Sequence, residues 1–162
     1  MRPLFHAALP RVLLKERGSG ASRVSVYNMK KILIPIDGTE RSKQSVELVK
    51  DYYKNEQVTI HLLSVREDYE DVRSKEDAAY MKEEVQQEVL DPIKEMLSGY
   101  VVKEDVRLGK AAEEILAYSS ENHIDVIVMT KSTRKGWARM IGSVTTHVVK
   151  YAECLVLIVP EK

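Results

Sequence analysis

Apolar residues recur along this chain in two different periods, and stretches of the two kinds alternate from residue 30 onward. The run Ile-Leu-Ile-Pro-Ile at 32–36 has strand length, and Asp37 and Gly38 stop it with turn chemistry. Thr39 can cap a helix over 40–54, a stretch that puts Val46, Val49 and Tyr53 on one helical face and displaces Glu47, Lys50 and Asp51 around the cylinder. A second strand is expected at 58–65. The spacing then predicts a long helix over 74–98, with Ala78, Met81 or Lys82, Val85, Val89, Ile93 and Met96 near one face and Gly99 ending it. Pro92 falls inside, where it kinks the axis or restarts it with Asp91 as a cap.

Residues 100–107 alternate as a third strand, and Leu108 and Gly109 break it before a helix whose inner face should include Ala112, Ile115 and Leu116. The unbroken run Val-Ile-Val-Met at 126–129 suits a strand covered on both faces. Val144, Val148 and Tyr151 should line a last helix, and residues 154–160 close the chain as a fifth strand stopped by Pro160. Five strands alternating with four helices require crossovers, so the fold class expected is α/β: an open, doubly wound parallel sheet with helices on both faces. Ligands of such sheets bind beyond the carboxyl ends of the strands, where the strand order reverses. The loops after the first and fourth strands are the candidates if those strands are neighbours.

Residues 125–144 carry the chemistry of that second loop. Gly142 and Ser143 open the last helix, Ser143 as its expected cap, and a helix start presents free N–H groups that attract anions. Lys131, Arg134, Lys135 and Arg139 add positive charge in the same segment, which suits a phosphate-bearing ligand.

Composition narrows the picture further. The chain has 162 residues with a formal net charge of zero, which fits one globular domain and makes nucleic acid an unlikely partner. The balance is uneven: residues 1–28 hold Arg2, Arg11, Lys15, Arg17 and Arg23 against Glu16 alone, leaving the rest mildly acidic. With no sustained period, residues 1–28 are expected to be an N-terminal extension, either poorly ordered or not native, with the domain proper at 29–162. The single cysteine, Cys154, excludes an internal disulfide framework, and a reducing cytoplasm is the expected compartment. No apolar run approaches the roughly 20 residues that a membrane-spanning helix needs.

Four segments in order, Lys-Ile-Leu-Ile-Pro-Ile-Asp-Gly-Thr-Glu at 31–40, Asp-Val-Arg-Leu-Gly-Lys at 105–110, Asp-Val-Ile-Val-Met at 125–129 and Gly-Ser-Val at 142–144, resemble the universal stress protein family. The resemblance spans 29–162. It implies a five-stranded parallel sheet of order 3-2-1-4-5, a dimer and, in one branch of the family, bound ATP. By that resemblance Pro35 and Asp37 approach the adenine and ribose, Val65 lines the adenine pocket, and Met129 precedes the phosphate motif that Gly142, Ser143, Val144 and Thr145 complete. The family's two upstream glycines fall on Thr130 and Thr133 in one register and on Met129 and Ser132 in the other. Neither register supplies a glycine, and the Cβ of another residue hinders close approach to phosphate. Thr130 and Lys131 therefore belong to a degenerate nucleotide-binding loop, with Lys131 and its basic neighbours as replacement phosphate contacts.

No cofactor is expected to be carried, although ATP is the group such a loop would hold. The function expected is a stress-response binding module, homodimeric through residues 155–159, whose partner proteins the sequence leaves unknown; an ATP or adenine-nucleotide sensor or slow ATPase is the alternative. An enzyme is the less favoured reading. The chain has no G-x-G-x-x-G and no Walker lysine motif, its first-strand loop matches an ATP pyrophosphatase loop only in part, and Asp37 ends the first strand, where a phosphorylated receiver aspartate would end the third. His61 and His147 read as structural residues, His6 and His123 add no chemistry, and Trp137 and Cys154 read as packing residues.

Overall fold

A computed structural model describes residues 31–54, 57–70, 72–130 and 142–160. Five strands, β1 (Lys31–Pro35), β2 (Thr59–Arg66), β3 (Val101–Leu108), β4 (Val126–Thr130) and β5 (Leu155–Val159), form one all-parallel sheet of order β3-β2-β1-β4-β5. Both the α/β class and the strand order expected from the sequence are observed. The extension at 1–28 lies outside the described residues.

Alternation along the strands explains the two cores. Ile32, Ile34, Ile60, Leu62, Val126 and Val128 turn to one face, where α1 (Glu40–Tyr52) contributes Val46 and Val49. Leu33, Leu63, Ile127 and Met129 turn to the other, against Ile115 and Tyr118 of α4 (Ala111–Glu121) and Val148 of α5 (Ser143–Tyr151). Ala112 and Leu116 join that second core as expected. Tyr151 does not line it: at the last position of α5 its side chain is exposed, with its ring against that of His147.

The helix expected over 74–98 is continuous but uneven. Ser74 and Asp77 cap each other's amides at the start of α2 (Lys75–Val85), a wide π turn spans Gln86–Leu90, and α3 (Asp91–Met96) comes next. Asp91 is not a cap; it is helical, and its N–H bonds to the carbonyl five residues back at Gln86. The extra residue in that wide turn precedes Pro92, which has no N–H to give. It also shifts the buried stripe, so that Val85, Leu90, Ile93 and Leu97 reach the core while Val89 is only partly covered. Gly99, at φ +97°, ends the helical stretch as expected.

Candidate functional site at the β1–β4 fork

β1 lies between β2 and β4, with Ile32 beside Val126 and Leu33 beside Ile127. The first and fourth strands are thus neighbours, and α1 leaves on one face of the sheet while α4 and α5 cover the other. Ligands of open α/β sheets bind where the chain diverges in this way.

Continuing the register carries Pro35 level with Met129, and the pairing of Pro35 with Leu63 carries Asp37 level with Val65. Met129 is buried, and Val65 packs against the α4–α5 core. Asp37 is exposed, and its Oδ1 accepts from the Thr39 N–H at 3.0 Å and the Thr39 hydroxyl at 2.6 Å. That closes the turn around Gly38, whose φ of +78° favours glycine. Thr39 does precede α1, but its side chain serves Asp37 and leaves the helix amides uncapped.

Thr130 ends β4 on the α1 side. Its hydroxyl donates to the Arg41 carbonyl at 2.9 Å and accepts from the buried Ser45 hydroxyl at 2.7 Å. The residue at this proposed glycine position is a clasp between sheet and helix. Lys131, Arg134, Lys135, Arg139, Trp137 and the alternative glycine positions Ser132 and Thr133 lie outside the described residues.

At α5 the cap is Gly142, at φ −58° and ψ 157°, and Ser143 is the first helical residue, exposed and without a side-chain capping bond. Gly142 therefore occupies backbone angles open to other residues. Val144 is partly buried and Thr145 buried.

A cleft of about 230 Å³ opens beside this helix start, lined by Glu67, Lys110, Ala112, Glu113, Ser143, Val144 and His147. Pro35, Asp37, Val65 and Met129 are not among its walls. Glu67 lies just after β2, and its carboxylate accepts from the Ala111 N–H at 2.8 Å, supplying the cap that Lys110 at the N-cap of α4 does not provide. Sequence reasoning missed Glu67, Lys110 and Glu113 because no local pattern brings residues 67 and 111 together. Glu67→Ala is expected to lower stability by about 1 kcal/mol, the usual cost of a lost cap, measured as a fall in the urea midpoint at unchanged slope.

The histidines divide. His61 is buried with its Nδ1 2.9 Å from the Tyr118 hydroxyl. His147 is exposed at the cleft, its ring 4.6 Å from that of Tyr151. Cys154 is partly buried just ahead of β5, and burial pushes its thiol pKa up, away from a reactive thiolate.

The sequence pattern of the Universal stress protein family matches residues 28–160. The chain belongs to the universal stress protein family. It is 31% identical over 139 residues to Universal stress protein MJ0531 of Methanocaldococcus jannaschii, covering 80% of this chain and 81% of that one. The solved structure of hypothetical protein MJ0577 is similar at TM-score 0.71 and 28% identity, over 83% of this chain and 97% of that chain. A universal stress protein family protein from Arabidopsis thaliana, solved with AMP bound, shares the fold at TM-score 0.58 and 18% identity, over 82% of this chain and 92% of that one. In this universal stress protein no described helix is long and apolar enough to cross a membrane.

Proposed function

We propose that this universal stress protein is a stress-response binding module that acts by association, as a homodimer paired through β5 and in the cytoplasm. Residues 29–162 form the working domain, and 1–28 are an extension outside it. The ligand site is the β1–β4 fork, with Pro35, Asp37, Val65 and Met129 on the adenine side and Gly142, Ser143, Val144 and Thr145 on the phosphate side. Thr130, the last residue of β4, and Lys131 after it stand where the family's upstream glycines are missing. The observation that carries this reading is the register of β1 with β2 and β4, which brings Pro35 level with Met129 and Asp37 level with Val65 at the carboxyl ends of the strands.

Such a site holds an adenine nucleotide or phosphate weakly. Protein purified from cells is expected to release little or no ATP when denatured, with mass spectrometry of the released small molecules as the readout. Near-stoichiometric ATP would overturn the degenerate-loop reading and give Lys131 and Arg134 the part of the missing glycines.

An adenine-nucleotide sensor or slow ATPase is the second reading, supported by the AMP found on the relative of like fold. ATP hydrolysis well above that of a Gly142→Ala, Ser143→Ala double variant would favour it.

A further inference from the structure

A buried histidine joins the sheet to α4 with one ring nitrogen unanswered. His61 is 1% exposed at the middle of β2, and its Nε2 has no hydrogen-bond partner among the described residues. Its Nδ1 meets the Tyr118 hydroxyl of α4, and the two rings stand edge to face with centroids 5.7 Å apart. On the sheet, Lys103 of β3 is the residue opposite His61, and Lys31 of β1 adds positive potential. From the α4 side the charges lie beyond Tyr118: the Arg107 guanidinium sits 4.8 Å from the centroid of its ring, held by Asp105, Glu114 and Glu121. Among the described residues no carboxylate bonds to the imidazole itself.

We propose that the His61–Tyr118 contact is an acid-sensitive latch, whose protonation releases α4 from the sheet before the rest of the fold gives way. An imidazolium carries two N–H donors. Tyr118 can accept from one, while the other would remain buried without an acceptor and the charge would sit between Lys103 and Lys31. Relief has to come from α4. β2 is fixed by parallel pairing to β1 on one side and β3 on the other, whereas α4 rests on the sheet by one face. The latch stands on this contact and does not depend on nucleotide binding, although Lys110, Ala112 and Glu113 at the start of α4 also wall the cleft.

Linkage gives the direction. Burial first, then Lys103 and Lys31, lower the His61 pKa from 6.5 to about 4 while the latch is closed, and a released ring titrates near its ordinary value. The neutral closed state is therefore fully favoured above pH 6.5 and loses its advantage as pH falls toward 4. Relative to its value well above pH 6.5, the closed-to-open ratio should drop about 30-fold at pH 5 and roughly 300-fold once the closed form also protonates.

Amide exchange of the full chain, corrected for intrinsic rates and monitored with the ring titration by NMR between pH 7.5 and 4.5, tests this. The α4 amides should lose about 30-fold of their protection by pH 5 while those of β1 and β4 keep theirs. His61→Leu should hold α4 protection flat with pH, and His61→Gln serves if the leucine variant does not fold. Flat α4 protection in the wild type, equal loss in sheet and helix, or an unchanged acid profile in the folded variant would overturn the latch. If neither variant folds, the wild-type ring decides: a midpoint near 6.5 with α4 still protected refutes it, and a midpoint that tracks loss of α4 protection supports it.

Discussion

Leu157→Lys is expected to turn the proposed dimer into a monomer, raising its dissociation constant about 100-fold or more. β5 pairs with β4 on one side and forms an edge of the sheet, so among the described residues no strand pairs with its other side. Its side chains divide unequally. Val156 and Ile158 pack into the α4–α5 core and Val159 is buried on the opposite face, but Leu155 and Leu157 on that opposite face are 57% and 41% exposed. An antiparallel copy of the same strand would satisfy the backbone edge and cover both leucines. A lysine at 157 enters such an interface twice, once from each copy, and each ammonium would lose water without gaining a partner. Light scattering at matched concentrations reads the change. Tyr80→Lys, which places the same charge on an exposed apolar site of α2, should leave the mass unaltered. A wild-type chain that stays monomeric at high concentration would remove the basis for the dimer.

Thr130→Gly is expected to destabilise the fold by about 2 to 3 kcal/mol, the sum of two lost hydroxyl bonds and the flexibility of glycine at a strand end. The hydroxyl of Thr130 ties β4 to the Arg41 carbonyl and the Ser45 hydroxyl of α1, and Ser45 is buried, so its oxygen would be left without that partner. Thr130→Ser keeps the hydroxyl and should retain most of the stability, losing about 1 kcal/mol for the methyl group. Urea unfolding of the three proteins separates the roles. If glycine at 130 costs no more than serine does, the clasp to α1 contributes nothing and the threonine is only a substitute for the family's glycine. Equal binding of adenine nucleotide by the glycine variant and the wild type would place the steric block elsewhere in the loop.

Much of the fold could be read from residue order because strand and helix impose different periods on the same apolar residues. The runs at 32–36, 58–65 and 126–129 became β1, β2 and β4 within two residues at each end, and Gly99 ended the helical stretch where its freedom was needed. Alternation of strands with helices required crossovers, and hence a parallel sheet, before any contact was known. The fork that Pro35, Asp37 and Met129 approach is a product of the same topology. What the sequence left open were relations between residues far apart in the chain. A proline inside a helix can be met by a kink, a new cap or a wide turn, and only packing against the sheet selected the π turn at Gln86–Leu90 that moved Leu90 and Leu97 inward. Gly142 and not Ser143 became the cap of α5, because the helix already begins at Ser143. Glu67 caps a helix 44 residues later, Thr130 clasps a helix 89 residues earlier, and His61 meets Tyr118 across 57 residues. Local pattern determines which residues turn inward, since it depends on period alone. Which inward or edge residues then share a hydrogen bond depends on how the layers are superposed, and that is a property of the tertiary structure.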